Sequence, residues 1–580
     1  MMKHPNDVTA VLALLAAGPL ALLPQAASAQ SRSVAAGSSW TIARETVLDR
    51  LDIAPGGQIR PAAGRELSMT VDGVGTPLAP GSYKGRIVLA PTAPIAWKAM
   101  LGNRDYRVRA ALYVDGAPDP LRSVAATWRG GQVAAGQASN LHIASADPGF
   151  TGIAIEGASR YVLNDPVIEL TGNGVDDSIG YGAGIVVQGS AQVTINRPRI
   201  FTQGVVRTAI FVAGNAQVDI DGAQIETRNG TLPADYKFSI LPGEMMEVPY
   251  GLGISGNVRA TNVQGTAHVT YRNSHIRAQA WGALATDGEG PTWLTAINST
   301  IETLESGYGA YANGHAQDLF DNCVFRVPDY GLVVGGPGSA TFTNGTMVSS
   351  GRFGVMMHQG AGGGTLRIEK GSTFVTGQTA IVVKGRGTTI VVDGGRLVPG
   401  NGVLLQTMEN DDPIMREMMR NPPPPPPAGA APAGPVESGE VVASFSNTRL
   451  EGDIFHAMTG KGGMRITLGA TASLRGGISL AVARPASGAE PTRATFASVG
   501  EVVNAPGFGA KPEPLQVRVE DGASWEVTRP SFVSELTLAP HGRIGAPVGQ
   551  RLELRVNGQA VPLAPGHYQG QVELLPVGDR

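Results

Sequence analysis

Cysteine is nearly missing: the 580-residue chain has one, Cys323, so no internal disulfide can staple the fold. Charge is sparse as well, at 16% of residues with a net charge of -3. That balance argues against nucleic acid as a partner and offers no polybasic membrane patch. Aromatic residues make up only 6%, and amphipathic helical periodicity is absent almost throughout. Past the first 30 residues no stretch approaches the roughly 20 apolar residues of a membrane-spanning helix. Yet 42% of the chain is apolar, which argues against disorder. Stability must come from a large core or from backbone hydrogen bonding.

What the chain does have is glycine, 79 of them, and 41 prolines. It also opens on a recognisable address. Lys3 and His4 precede an apolar stretch from Val8 to Leu23, and Ala27-Ser28-Ala29 follows. Residues 1–29 therefore read as a secretory signal peptide cleaved before Gln30, and the mature protein is expected to be secreted or periplasmic.

Two repeats organise the rest. Residues 37–89 align without a gap on 522–574: GSSW on GASW, LDIAPGGQI on LTLAPHGRI, VDGVGTPLAPGSYKGRIVL on VNGQAVPLAPGHYQGQVEL. Alternating apolar residues and Pro-Gly turns make these a pair of small β modules, at 37–93 and 522–580. Related modules at both ends look like caps over raw strand edges. Between them, a Gly-apolar-x-apolar strand recurs from Thr151, Ala183, Thr208, Tyr250, Trp281, Tyr308, Tyr330, Phe353, Thr379 and Asn401. Most steps are about 22 to 32 residues, the length of one β-helix turn and too short for a four-stranded propeller blade. The fold class is all-β: a right-handed parallel β-helix over 94–530, with insertions near 229–248 and 407–444. The second insertion contains a proline tract expected to be stiff polyproline II.

The coils and their Gly-bounded strands resemble those of the pectin-lyase-like superfamily of right-handed β-helices. The segment LQVRVEDGASWEV at 515–527 and the proline-rich insertion resemble a pertactin passenger domain. That resemblance implies the architecture, brings no diagnostic catalytic motif, and comes without the alternating strands of an autotransporter barrel.

Stacked coils turn sequence columns into ladders. Ile185 and Val187, Val355 and Met357, and Ile381 and Val383 should face the core, so the positions between them face out. These are nevertheless apolar: Val186, Phe211, Leu284, Tyr311, Val333, Met356, Val382, Leu404. Either an insertion or a terminal module covers this stripe, or it is a partner or ligand surface. A second column is aromatic: Tyr250, Trp281, Tyr308, Tyr330, Phe353. It is either packing or a platform for sugar rings. From Trp281 onward the following turn carries charge: Asp287 and Glu289, His315 and Asp318, His358, Lys384 and Arg386, then Glu409, Asp411 and Asp412.

Three chemistries could use such a groove. A uronate lyase needs a base and cations that neutralise the carboxylate, roles open to Lys384 and Arg386, with Glu409, Asp411 and Asp412 as oxygen donors for Ca²⁺. An inverting glycoside hydrolase needs two spaced carboxyls, available from Asp287, Asp318, Asp411 and Asp412. A calcium site could also be purely structural. The sequence thus points to a polysaccharide lyase or hydrolase with Lys384, Arg386, Asp287, His358 and Asp412 as catalytic candidates. Trp281, Tyr308, Tyr311, Tyr330 and His315 would bind sugar, and Glu409 and Asp411 would bind calcium. The alternative is a noncatalytic adhesin or matrix protein that binds glycan through the same ladders. Asp176-Asp177 reads as a turn former, and Cys323 as an inert core residue.

Overall fold

Strands of three to seven residues cannot complete a sheet within one coil, so their hydrogen bonds must go to the coils above and below. In the computed structural model, which describes residues 30–578 except 102–103, 359–362, 421–438, 460–461 and 510–512, they do so on three faces. The side chains of Glu289 and Met419 are likewise not described. The first face stacks His142–Ser145, Val167–Thr171, Arg199–Gln203 and Gln224–Arg228, and continues to Arg396–Pro399. The second begins Phe150–Glu156, Ile185–Val187, Ile210–Val212, Thr261–Val263; the third begins Arg160–Asn164, Gln192–Asn196, Gln217–Asp221, His268–Arg272. Successive strands are parallel and in register, as in Ile185 on Ile210 and Val187 on Val212. The fold is a parallel β-helix. The signal peptide and the proline tract lie outside the described residues.

The inward positions fill one continuous core that includes Ile185, Val187, Val355, Met357, Ile381 and Val383. Between the third and first faces the chain turns on a single left-handed residue: Asn140, Asp165, Arg197, Asn273, Asn298 and Asn322 have φ between 48° and 53°. Asparagine tolerates that conformation, and its amide bonds along the column, Asn322 Nδ2 to Asn298 Oδ1 at 2.8 Å for example. Next to this turn runs a column of small polar residues. Ser274 N donates to Ser299 Oγ and Cys323 N to Thr346 Oγ1, both at 3.1 Å. Cys323 occupies a rung of this column, and burial pushes its thiol up to about 11.

Each aromatic of the column at Tyr308, Tyr330 and Phe353 precedes a glycine because the chain there crosses tightly over the first face. A Cβ on Gly309 would lie 2.4 Å from Phe325 Cδ1, and one on Gly331 2.4 Å from Val348 Cγ1. Two expectations about this region need correction. The coil expected to start at Tyr250 does not: that residue lies in a short 3-10 turn of the first insertion, and Thr261–Val263 takes the coil's place. Trp281 is one residue out of line, because Gly282 is the partner of Tyr308 and Trp281 itself has φ 65°.

The terminal modules agree strand for strand at a constant offset. Thr46–Ile53 corresponds to Ser531–Leu538, Glu66–Val71 to 551–556, and Gly81–Thr92 to 566–577. Even the register repeats, Thr46 on Leu89 and Ser531 on Leu574. Tyr83 and Tyr568 donate to the carbonyls of Ala79 and Ala564 at 2.7 and 2.6 Å. The match starts earlier than the sequence alignment, with Ser31–Val34 on 516–519.

At one corner of the helix the guanidinium of Arg207, fully buried, donates to the carbonyls of Gly172, Phe150, Gly182, Asp147 and Thr171 at 2.6 to 3.0 Å. Burial pulls its pKa down to about 10. Arg207→Met keeps the length but orphans those carbonyls, at a cost of at least about 3 kcal/mol. A urea titration at fixed pH should show the loss as a lower midpoint; an unchanged midpoint would mean that water replaces the guanidinium.

Candidate functional site

The outward column of the second face runs Val186, Phe211, Asn262, then Ala285, Tyr311, Val333, Met356, Val382 and Gln406. Leu284 and Leu404, expected here, belong to the core. The first misassignment comes from the one-residue shift at Trp281, the second from a register break between Val403 and Leu405.

This apolar stripe is covered. The first insertion runs past its expected end, up to the strand at Thr261, and its Val248, Leu252 and Ile254 pack with Val499 on Tyr308, Tyr330, Val333, Phe353, Met356 and Val382. The helix Pro413–Arg420 lies against the first insertion's turn. Val499 belongs to a third insertion, between Ile478–Pro485 and Leu515–Val519, which the sequence reading missed. Trp281, Tyr308 and Tyr330 are consequently buried, at 2%, 0% and 0% exposure, and offer no face to a sugar ring. Tyr311 is half-buried and stacks on Tyr308 with 5.4 Å between ring centroids. His315 is exposed and apart from them.

The charged candidates hold this cover down. Lys384, with no exposed side-chain surface, places Nζ 2.5 Å from Asp411 Oδ1, and Asp411 Oδ2 accepts from Gly500 N of the third insertion at 2.7 Å. Burial lowers the Lys384 pKa against the pull of Asp411. Asp412 accepts from Ile414 N at 2.7 Å, capping the covering helix, while His358 Nε2 lies 3.4 Å from its other oxygen. Burial would raise the Asp412 pKa, but His358 and the helix N–H groups hold it below the usual range. Arg352 clamps the same layer, donating to the carbonyls of Gly253 and Val499 at 2.9 and 2.8 Å.

The remaining candidates sit elsewhere. Asp287 shares the buried Arg259 with Asp177, at 2.9 and 2.8 Å. Burial works against that guanidinium, but two carboxylates keep it charged. Arg386 binds Glu513 at 2.6 Å. Glu409 accepts from Thr459 N at 2.5 Å, so Glu409 and Asp411 serve different partners rather than one calcium ion. Among the described residues no group of three or more Asp, Glu, His or Cys side chains could hold a metal. Asp318 points into the lumen in the column of Leu294 and Ala340. Its carboxyl, bonded to Thr286 Oγ1 at 3.1 Å, is pushed well up by burial.

Two open concavities lie on the first face. One, of about 540 Å³, is lined by His142, Glu169, Arg199, Phe201, Glu226, His275 and Arg277 among others. Its floor is the column Glu169, Phe201, Glu226, Arg277, which continues past the concavity as Glu302 and Arg326. The Arg228 guanidinium stands 5.5 Å over the half-buried Phe201 ring. Burial notwithstanding, His275, Arg326 and Arg277 hold the Glu302 pKa low. The second, of about 840 Å³, opens where the first-face sheet is broken between Arg396–Pro399 and Arg449–Glu451. Arg475 and Arg529 on its wall are paired, with Glu451 and Asp453 at 3.2 and 3.3 Å. Arg396 and Arg449 are exposed and make no ion pair among the described residues. The signal for this face was present in alternating strands such as VIELT, RIFTQ, QIETR and HIRA.

The chain matches no protein-family profile and no curated protein.

Two consequences can be measured. Asp411→Asn strands a buried ammonium, costing about 3–5 kcal/mol. Hydrogen exchange at Val403–Met408 and Pro413–Arg420 should accelerate, and adding Lys384→Met should restore most of the protection. The second concerns His456, which points inward in the column of Val383, Thr407 and Leu480 and bonds Thr407 Oγ1 at 2.6 Å. Burial, with Arg386 nearby, pulls its pKa down from 6.5 to about 4. The unfolded imidazole takes its proton as pH falls through 6.5 and the folded one only near 4. Stability should therefore fall across that window by up to about 3 kcal/mol. His456→Gln should flatten the slope, read as melting temperature against pH.

Proposed function

We propose that this is an exported glycan-binding protein of pectin-lyase-like architecture. Its first face, rather than the covered second one, receives an extended acidic polysaccharide. The observation that carries the reading is the pair Arg396 and Arg449, two guanidiniums in the 840 Å³ cleft without an ion pair among the described residues. Arginine is the side chain best suited to a carboxylate or sulfate, because its planar fork bonds both oxygens. A third arginine without an ion pair among the described residues, Arg199, lies on the same face beside Phe201, which supplies an apolar surface for a ring. Strand register sets Arg199 and Arg396 in one column of this face, seven strands apart at about 4.8 Å each, a span that suits a polymer.

Binding without cleavage is favoured over catalysis. Lys384, Asp411, Asp412 and His358 are engaged in holding the cover, and Glu302 on the open face is kept ionised by its cations. A general acid needs the opposite shift.

In affinity electrophoresis the purified protein should be retarded by a uronate polymer and not by a neutral glucan. Arg396→Ala with Arg449→Ala should weaken retardation at least about tenfold, with an unchanged melt, whereas Lys384→Met should leave it intact. Equal retardation of the arginine variant would sink the reading. Release of unsaturated uronate, seen in the ultraviolet, would instead make the protein a lyase.

A further inference from the structure

We infer that the N-terminal module takes the C-terminal end of a second copy of this chain on its free strand edge, joining molecules head to tail. The internal duplication carries the argument, because each copy shows what the other leaves open.

In the C-terminal copy, Leu515–Val519 is bonded on one side to Ser531–Leu538 and on the other to the preceding coil, Met464–Leu468. Ser524–Val527 likewise lies between Arg543–Gly545 and Ser473–Gly476. Trp525 completes the seat: it is 1% exposed, and its indole donates to Gly476 O of the incoming coil at 3.0 Å. In the N-terminal copy the corresponding strands have the inner partners only. Ser31–Val34 pairs with Thr46–Ile53 and Ser39–Ile42 with Gln58–Pro61, and among the described residues no strand bonds their outer edges. Trp40, the equivalent of Trp525, is half-exposed with the Arg32 guanidinium 4.9 Å above its ring.

The other edge shows the reverse. Val74–Thr76 of the N-terminal copy is bonded to His142–Ser145, and Gly75 O accepts from Ala146 N at 2.7 Å. Its equivalent, Gln559–Val561, pairs among the described residues only with Gln550–Val556. One end of the molecule thus exposes an incoming edge and the other an outgoing edge, the arrangement of a heterologous contact that propagates. Charge agrees in sign: residues 31–92 hold seven basic and five acidic side chains, and residues 516–577 five basic and six acidic. This inference is independent of what the first face binds.

Strand alternation identifies the groups at the contact. The carbonyls of Gln30 and Val34 accept from the inner strand, so the N–H groups of Ser31 and Ser33 face outward. On the other module Ala560 lies opposite Arg555 beyond the Asn557-Gly558 turn, with its own N–H outward. Ser33→Pro and Ala560→Pro therefore remove edge donors that make no bond within the chain.

The test is sedimentation of the full mature chain at up to about 1 mM, the range where small interfaces associate. Wild type should associate progressively, each variant alone should stay monomeric, and an equimolar mixture of the two should form a two-chain species and nothing larger. Ser31→Pro serves as a second block of the incoming edge if circular dichroism shows Ser33→Pro misfolded. Monomeric wild type throughout, variants that associate like wild type, or a mixture that stays monomeric while wild type assembles would each overturn the inference.

Discussion

The hydrogen bonds between one coil and the next are the constraint on which the rest of this structure depends. Because parallel strands lie about 4.8 Å apart in fixed register, each side chain has its counterpart directly above and below it. A residue type suited to one rung is suited to its neighbours, and the sequence fills with columns. The left-handed turn collects asparagines, the tight crossing collects glycines, and the lumen collects Val, Ile and Leu. Where a column breaks character, as at Asp318 or His456 inside the core, the side chain must find its partner on an adjacent rung.

The same geometry makes an apolar outer column a liability, and the second face has one. Three insertions close it, and their attachment is electrostatic at the edges and apolar beneath. Buried pairs such as Lys384 with Asp411 add little net stability over apolar contacts of equal volume. Their effect is positional, since a displaced covering segment leaves a buried charge without its partner. Residues that look like a catalytic set when written along the chain are thus anchors when seen in space.

The architecture was legible because it is written in periods: two-residue alternation within a strand and coil length between strands. The core positions at Ile185, Val355 and Ile381 followed from that alone. Register was legible only where the rungs are regular. One extra residue at Trp281 and a break beside Leu404 moved two columns off by one or two positions, and sequence spacing contains no mark of either. The cover was foreseen as one of two outcomes for the stripe, yet its third segment was not, being built of the same small polar residues as any loop. Ion pairs between distant segments, Arg386 with Glu513 or Arg259 with Asp177, are products of folding topology that no local pattern encodes. The strands of the first face were visible as alternation, and what they lacked was a reason to be preferred.

The constant offset between the terminal modules means that their internal geometry makes no reference to the number of coils between them. Adding or deleting a whole coil would lengthen or shorten the molecule by one strand spacing and leave both ends unchanged. In engineering terms the ends are standard fittings and the solenoid is pipe cut to length. Reach, measured outward from whatever anchors one end, is then a property that can drift by whole-coil steps without any redesign of the fold.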